Sequence, residues 1–172
     1  MHSKIYYRIV DCFKRIGSKW DQLAPTEETA IEFAYTYINP EPLRKNGLFY
    51  SLEYCLANSG ESINERFRND RPDDIDLKIA DMVSGYKTKT PLVLYRGVCP
   101  EIYKKMVANA KDIQGVDLHE KAFLQTSLVK GCEINREIKL RIYVPAGTEA
   151  VYLGNVNDEQ FYYEVTIQRG LI

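Results

Sequence analysis

The 172-residue chain contains no apolar run long enough to cross a bilayer, no pair of cysteines at metal-like spacing and no block of charge of either sign. Cys12, Cys55, Cys99 and Cys132 lie far apart, which excludes a zinc motif and a disulfide framework and leaves four free thiols in a reducing compartment. The formal net charge is -1, with Lys and Arg scattered, so the electrostatic footprint of a duplex-DNA or anionic-membrane binder is missing. The first stretch, "MHSKIYYRIVDCFKRIGSKW", interleaves apolar residues with Lys and Arg and lacks both a signal-peptide core and a small-residue cleavage site. It reads as the start of a soluble protein acting in a cytosolic compartment. His119 has no Cys or Asp partner in sequence and reads as an exposed loop residue. Asp73, Asp74 and Asp76 lack the Gly and the later Glu of a calcium loop and suit a helix N-terminus instead.

What is present falls into two textures. Residues from 1 to about 88 read as helical. Ile5, Ile9, Phe13 and Ile16 recur at helical spacing, and "PTEETAIEFAYTYI" opens with helix-start residues. "LFYSLEYCLANSG" and "DDIDLKIADMVSGY" each end near a glycine. From about residue 90 to 172 the segments are short and rich in β-branched and aromatic residues: "PLVLYRGV", "AFLQTSLV", "EIKLRIYVP", "TEAVYLG" and "FYYEVTI". One further helix, "PEIYKKMVANA", interrupts them. Helices followed by strands predict a single α+β domain with a mainly antiparallel sheet system.

Three places in the strand-rich half carry chemistry. Arg96 ends an apolar strand beside Gly97, where a ligand is expected to approach the backbone, and its guanidinium offers a fork suited to phosphate. Gln125, Thr126 and Ser127 put three polar side chains into an otherwise apolar strand, able to serve a ligand or the neighbouring backbone. Glu164 stands among aromatics. Period-2 alternation predicts Tyr162, Glu164 and Thr166 on one face and Tyr163, Val165 and Ile167 on the other.

In their order, "PLVLYRGV", "KAFLQTSL", "EIKLRIYVPAGTEAVYLG" and "FYYEVTIQRG" resemble the ADP-ribosyltransferase exoenzyme family, in its branch marked by Arg, Ser-Thr-Ser and Glu-x-Glu or Gln-x-Glu motifs. "AIEFAYTYINPEPLRKNG" is similar to that family's Ile-Asn-x-x-Leu-Arg helix, so the likeness spans roughly residues 20 to 170. It implies N-terminal helices packed on two antiparallel sheets around an NAD cleft, with NAD as substrate and no metal. By position, Arg96 matches the phosphate-contacting strand Arg. Asn39 and Arg44 match the helical Asn and Arg, the latter a second phosphate contact. Thr126 and Ser127 match the last two residues of Ser-Thr-Ser, and Glu164 matches the catalytic carboxylate. Two positions depart from the pattern: Gln125 replaces the first Ser, and Tyr162 replaces the Glu or Gln that engages the acceptor. Tyr162 therefore leaves the acceptor open.

The resemblance implies a mono-ADP-ribosyltransferase acting on a protein acceptor presented to "NVNDEQFY", as in bacterial toxins, effectors or phage-encoded modifiers. The alternatives are an NAD glycohydrolase or a catalytically degenerate binding module. A chain of this length leaves no room for a translocation domain, so a delivery partner, or a neutralising one, is expected.

Overall fold

The computed structural model describes residues 23–39, 62–115, 117–154 and 160–170. Two helices of the first half carry reciprocal caps. Helix α1, Ala30–Tyr37, buries Ala30 and Ala34, one turn apart. Helix α2, Ile63–Arg68, begins with a capping box: the Ser62 hydroxyl accepts the Glu65 N–H at 3.2 Å, and the Glu65 carboxylate accepts the Ser62 N–H at 3.2 Å. Helix α3, Asp74–Ser84, repeats the device, with Asp73 accepting from Ile75 and Asp76 and the Asp76 carboxylate accepting from Asp73 N–H. Asp76 is fully buried and closed by a bidentate Arg66 pair at 2.6 Å. The acidic run is thus a helix start, as its spacing predicts. Helix α4, Pro100–Ala110, places Pro100 in its first turn, where the missing N–H leaves no gap. Helices α1, α3 and α4 match the expected segments, whereas α2 went unpredicted. The expected helices near residues 5–16 and 48–60 lie outside the described residues.

The strands are β1 Leu92–Val98, β2 Leu124–Ser127, β3 Ile138–Val144, β4 Ala150–Gly154 and β5 Glu164–Ile167. They join as one antiparallel sheet in the order β3-β1-β2-β5-β4. Its ladders are unequal. β1 and β3 pair without a break from Leu92 with Val144 to Val98 with Ile138, and β2 and β5 pair from Leu124 with Ile167 to Ser127 with Glu164. Between β1 and β2 the register rests on one pair, Tyr95 with Ser127. Where two sheets were expected, the described strands form two blocks of one sheet, joined at a seam.

Both faces are covered. Leu92, Leu94, Ile142, Val165 and Ile167 pack with Ala34 of α1 and Met106 of α4. On the other face Ile63 and Phe67 of α2 and Ile79 and Val83 of α3 pack with Phe123, Val151 and Leu153. Along β4, Tyr152 belongs to the first cluster and Val151 and Leu153 to the second, the alternation expected of a strand buried on both sides. His119 is half-buried rather than exposed, its N–H donating to the Met106 carbonyl of α4 at 3.0 Å.

Candidate active site

A cavity of about 520 Å³ opens at the seam, within the range of small-molecule sites. β1 contributes Tyr95, Arg96 and Gly97 to its walls, β2 contributes Gln125, Thr126 and Ser127, and β5 contributes Glu164. Asn64 and Arg68 of α2, together with Arg136 and Tyr162, close it. Strands that diverge after one shared pair leave room between their polar ends, and the cavity occupies that room.

Arg96 crosses the seam. Its Nη1 donates to the Gln125 carbonyl oxygen at 2.8 Å, while its Nε is buried without a partner. Burial pushes this guanidinium down to about 10; Glu120 and Glu164 draw it up, and Arg68 adds to the lowering. It remains a cation at neutral pH. A buried N–H donor with no acceptor is unfavourable by roughly 1 to 3 kcal/mol, which an anionic ligand would relieve. Gly97 has a different reason from the one its position suggested. A Cβ there would collide with the Ile134 carbonyl oxygen and press on Arg136, so the close approach is made by the chain's own 134–136 segment.

The three polar residues of β2 divide into two kinds. Thr126 Oγ1 donates to the Val165 carbonyl at 2.6 Å, and Ser127 Oγ both donates to the Val129 carbonyl at 2.9 Å and accepts the Val129 N–H at 3.1 Å. These hydroxyls tie β2 to β5 and to the turn after β2. Gln125 instead turns to the carboxylate: its Nε2 donates to Glu164 Oε1 at 3.4 Å, and Thr166 Oγ1 donates to the same oxygen at 3.0 Å. Glu164 is only 8% exposed, yet it lines the cavity and feels the Arg96 charge. A carboxylate so placed can stabilise positive charge developing on a bound molecule.

Alternation correctly puts Glu164 with Thr166, and Val165 with Ile167 in the core. Tyr162 joins Glu164 at the cavity and Tyr163 packs with the Val165 side as expected, but strand alternation is not what puts them there. Residues Gln160–Tyr162 form a 3₁₀ turn, Tyr163 takes a left-handed φ of 44°, and the strand begins only at Glu164. Tyr162 reaches the cavity from this turn, its ring 4.4 Å from that of half-exposed Phe161. Asn39 is not among the residues lining the cavity. It is fully buried and clips α1 to β4, accepting the Tyr152 N–H at 2.7 Å and donating to the Tyr152 carbonyl at 3.4 Å. Arg44 lies outside the described residues. Three side chains escaped the sequence reading: Arg136, Asn64, and Arg68, which makes a bidentate pair with buried Glu120 at 3.1 and 3.0 Å. The capping box "SINE" was the signal that a helix stood there. Among the described residues no helix is long and apolar enough to cross a membrane, and no cluster of His, Cys, Asp and Glu could hold a metal ion.

The sequence profile of the ADP-ribosyltransferase exoenzyme family matches residues 50–172. No sequence of a curated protein matches the chain. Among solved structures, Plx2a, an ADP-ribosyltransferase toxin from Paenibacillus larvae, is similar at a TM-score of 0.56 and 20% identity, over 84% of this chain and 83% of that one. C3stau2 from S. aureus with NAD gives a TM-score of 0.55 at 16% identity, over 92% of this chain and 84% of that one. The ADP-ribosylating toxin BECa of a binary enterotoxin of C. perfringens, with NADH, gives 0.57 at 16% identity, over 91% of this chain but 41% of that one.

Proposed function

The chain belongs to the ADP-ribosyltransferase exoenzyme family, and we propose that it is an active mono-ADP-ribosyltransferase that cleaves NAD and transfers ADP-ribose to a protein. One observation carries this reading. Glu164, a nearly buried carboxylate, and Arg96, a cation with an unpartnered N–H, line the same cavity.

NAD suits that pairing of charges. Its pyrophosphate gives Arg96 Nε the acceptor it lacks, with Arg68 and Arg136 adding positive potential in the same cavity. Breaking the bond between nicotinamide and ribose develops positive charge on the sugar, and Glu164 opposes that charge while holding a ribose hydroxyl. Gln125 and Thr166 keep the carboxylate in place by donating to Oε1. Gly97, Thr126 and Ser127 act on NAD through the backbone they secure, and Asn39 supports β4 from outside the cavity. Arg44 enters the proposal through the resemblance alone. Tyr162, beside exposed Phe161, serves acceptor choice. A phenol is neutral near neutral pH and cannot hold a guanidinium by ion pairing, so free arginine analogues are poor acceptors and a partner surface confers selectivity.

The test is incubation with labelled NAD and cell lysate, followed by mass spectrometry of labelled species and assay of free nicotinamide. Labelled protein with matching nicotinamide supports transfer. Nicotinamide with free ADP-ribose alone means a glycohydrolase, and silence despite NAD binding means a binding module.

A further inference from the structure

We propose that Asn64 is a positioning residue for Glu164, acting through Gln125; this rests on the reading of Glu164 as the carboxylate that drives NAD cleavage. Neither residue alone explains the orientation of the Gln125 amide. A carboxamide turned by half a revolution keeps its shape and exchanges donor for acceptor, so Gln125 is able to offer either end to Glu164. With its oxygen toward the carboxylate it would repel it.

A backbone group removes the ambiguity. The Phe123 N–H can only donate, and it donates to Asn64 Oδ1 at 3.1 Å. Asn64 must therefore turn its Nδ2 the other way, where it donates to Gln125 Oε1 at 3.2 Å. Gln125 in turn must present Nε2 to Glu164, and does so at 3.4 Å. Polarity runs one way from a fixed backbone donor, through two amides, to the carboxylate. Asn64 can hold its end because it is only 5% exposed, on a helix whose start is locked by the Ser62–Glu65 capping box and whose Ile63 and Phe67 are buried. Gln125, which departs from the Ser of the resembling motif, thus acts with a second residue that a serine at that position would not need.

The variant that separates this role from packing is Asn64→Asp, which keeps an acceptor for the Phe123 N–H and removes the donor to Gln125. Nicotinamide release and the NAD KM are measured for Asn64→Asp, Gln125→Ser, the double variant and Glu164→Gln. Solvent exchange of the Gln125 side-chain amide protons is followed by NMR in the wild type and in Asn64→Asp. The expected result is a fall of about tenfold in kcat for Asn64→Asp, the scale of one hydrogen bond to a charged group, with KM within about twofold. That fall disappears in the Gln125→Ser background, and the exchange rate of the amide protons changes in Asn64→Asp, where Nε2 turns from Glu164 to the new carboxylate. An equal loss in both backgrounds, or unchanged kcat and exchange while Glu164→Gln abolishes release, overturns the proposal. If Glu164→Gln leaves release unaltered, it is the functional reading that fails, and amide exchange still decides for or against Asn64. If Asn64→Asp does not fold, Gln125→Glu removes the same donor to Glu164, and kcat retained at the wild-type level there overturns the proposal.

Discussion

The two blocks of the sheet hold their functional side chains by opposite means. On the β3–β1 side, Arg96 and Gly97 sit in an unbroken seven-residue strand whose partner ladder spans its length. On the β2–β5–β4 side, Gln125 and Glu164 stand on four-residue strands, and side-chain hydrogen bonds from Thr126, Ser127 and Thr166 supply the order. Backbone pairing suffices to aim a charge at a bound anion. Placing a carboxylate against one developing charge demands more, and there the polar side chains are concentrated.

That contrast can be broken from either side. Glu164→Gln is expected to have the largest effect, lowering nicotinamide release by about 100- to 1000-fold, or about 3 to 4 kcal/mol, while NAD affinity by calorimetry and the unfolding midpoint stay near wild type. Gly97→Ala follows, as a stability effect of about 3 kcal/mol in denaturant unfolding, because the added carbon meets the Ile134 backbone and not a movable side chain. A loss below about 0.5 kcal/mol would mean that the 134–136 segment yields freely.

How much of this was legible in the sequence follows the same division. Strand residues were readable because their spacing and order are local. Position along the strand paired Glu164 with Thr166, whereas Tyr162 reaches the same cavity from a 3₁₀ turn before the left-handed Tyr163, a route the strand pattern does not encode. Gly97 was expected to let a ligand approach the backbone, whereas the close neighbour is residue 134 of the same chain, a tertiary contact that no local pattern encodes. Asn64 and Arg68 were missed because they come from a six-residue helix 61 and 52 positions away from their partners Gln125 and Glu120. The capping box is a local signal of the helix that was not used, and it does not say which face meets the cavity.

Smaller effects sharpen the comparison. Arg96→Ala is expected to weaken NAD binding by about 2 kcal/mol, and Arg96→Lys, which keeps the charge without the fork, by less; calorimetry gives both. Nicotinamide release at saturating NAD should change less than binding does, the reverse of Glu164→Gln. Ser62→Ala removes one helix cap and is expected to lower stability by about 1 kcal/mol. Any accompanying loss of release should include a fall in kcat, since α2 reaches the carboxylate through Asn64 and Gln125.

The most direct measurement is a crystal structure of the Glu164→Gln variant with NAD, in which slow cleavage preserves the dinucleotide. The predicted result is a pyrophosphate oxygen within hydrogen-bond distance of Arg96 Nε and the nicotinamide ribose against residue 164, with the two strand blocks contributing one contact each across the seam. NAD bound away from that seam, or bound with Arg96 Nε still unpartnered, would contradict the division of labour between the two halves of the sheet.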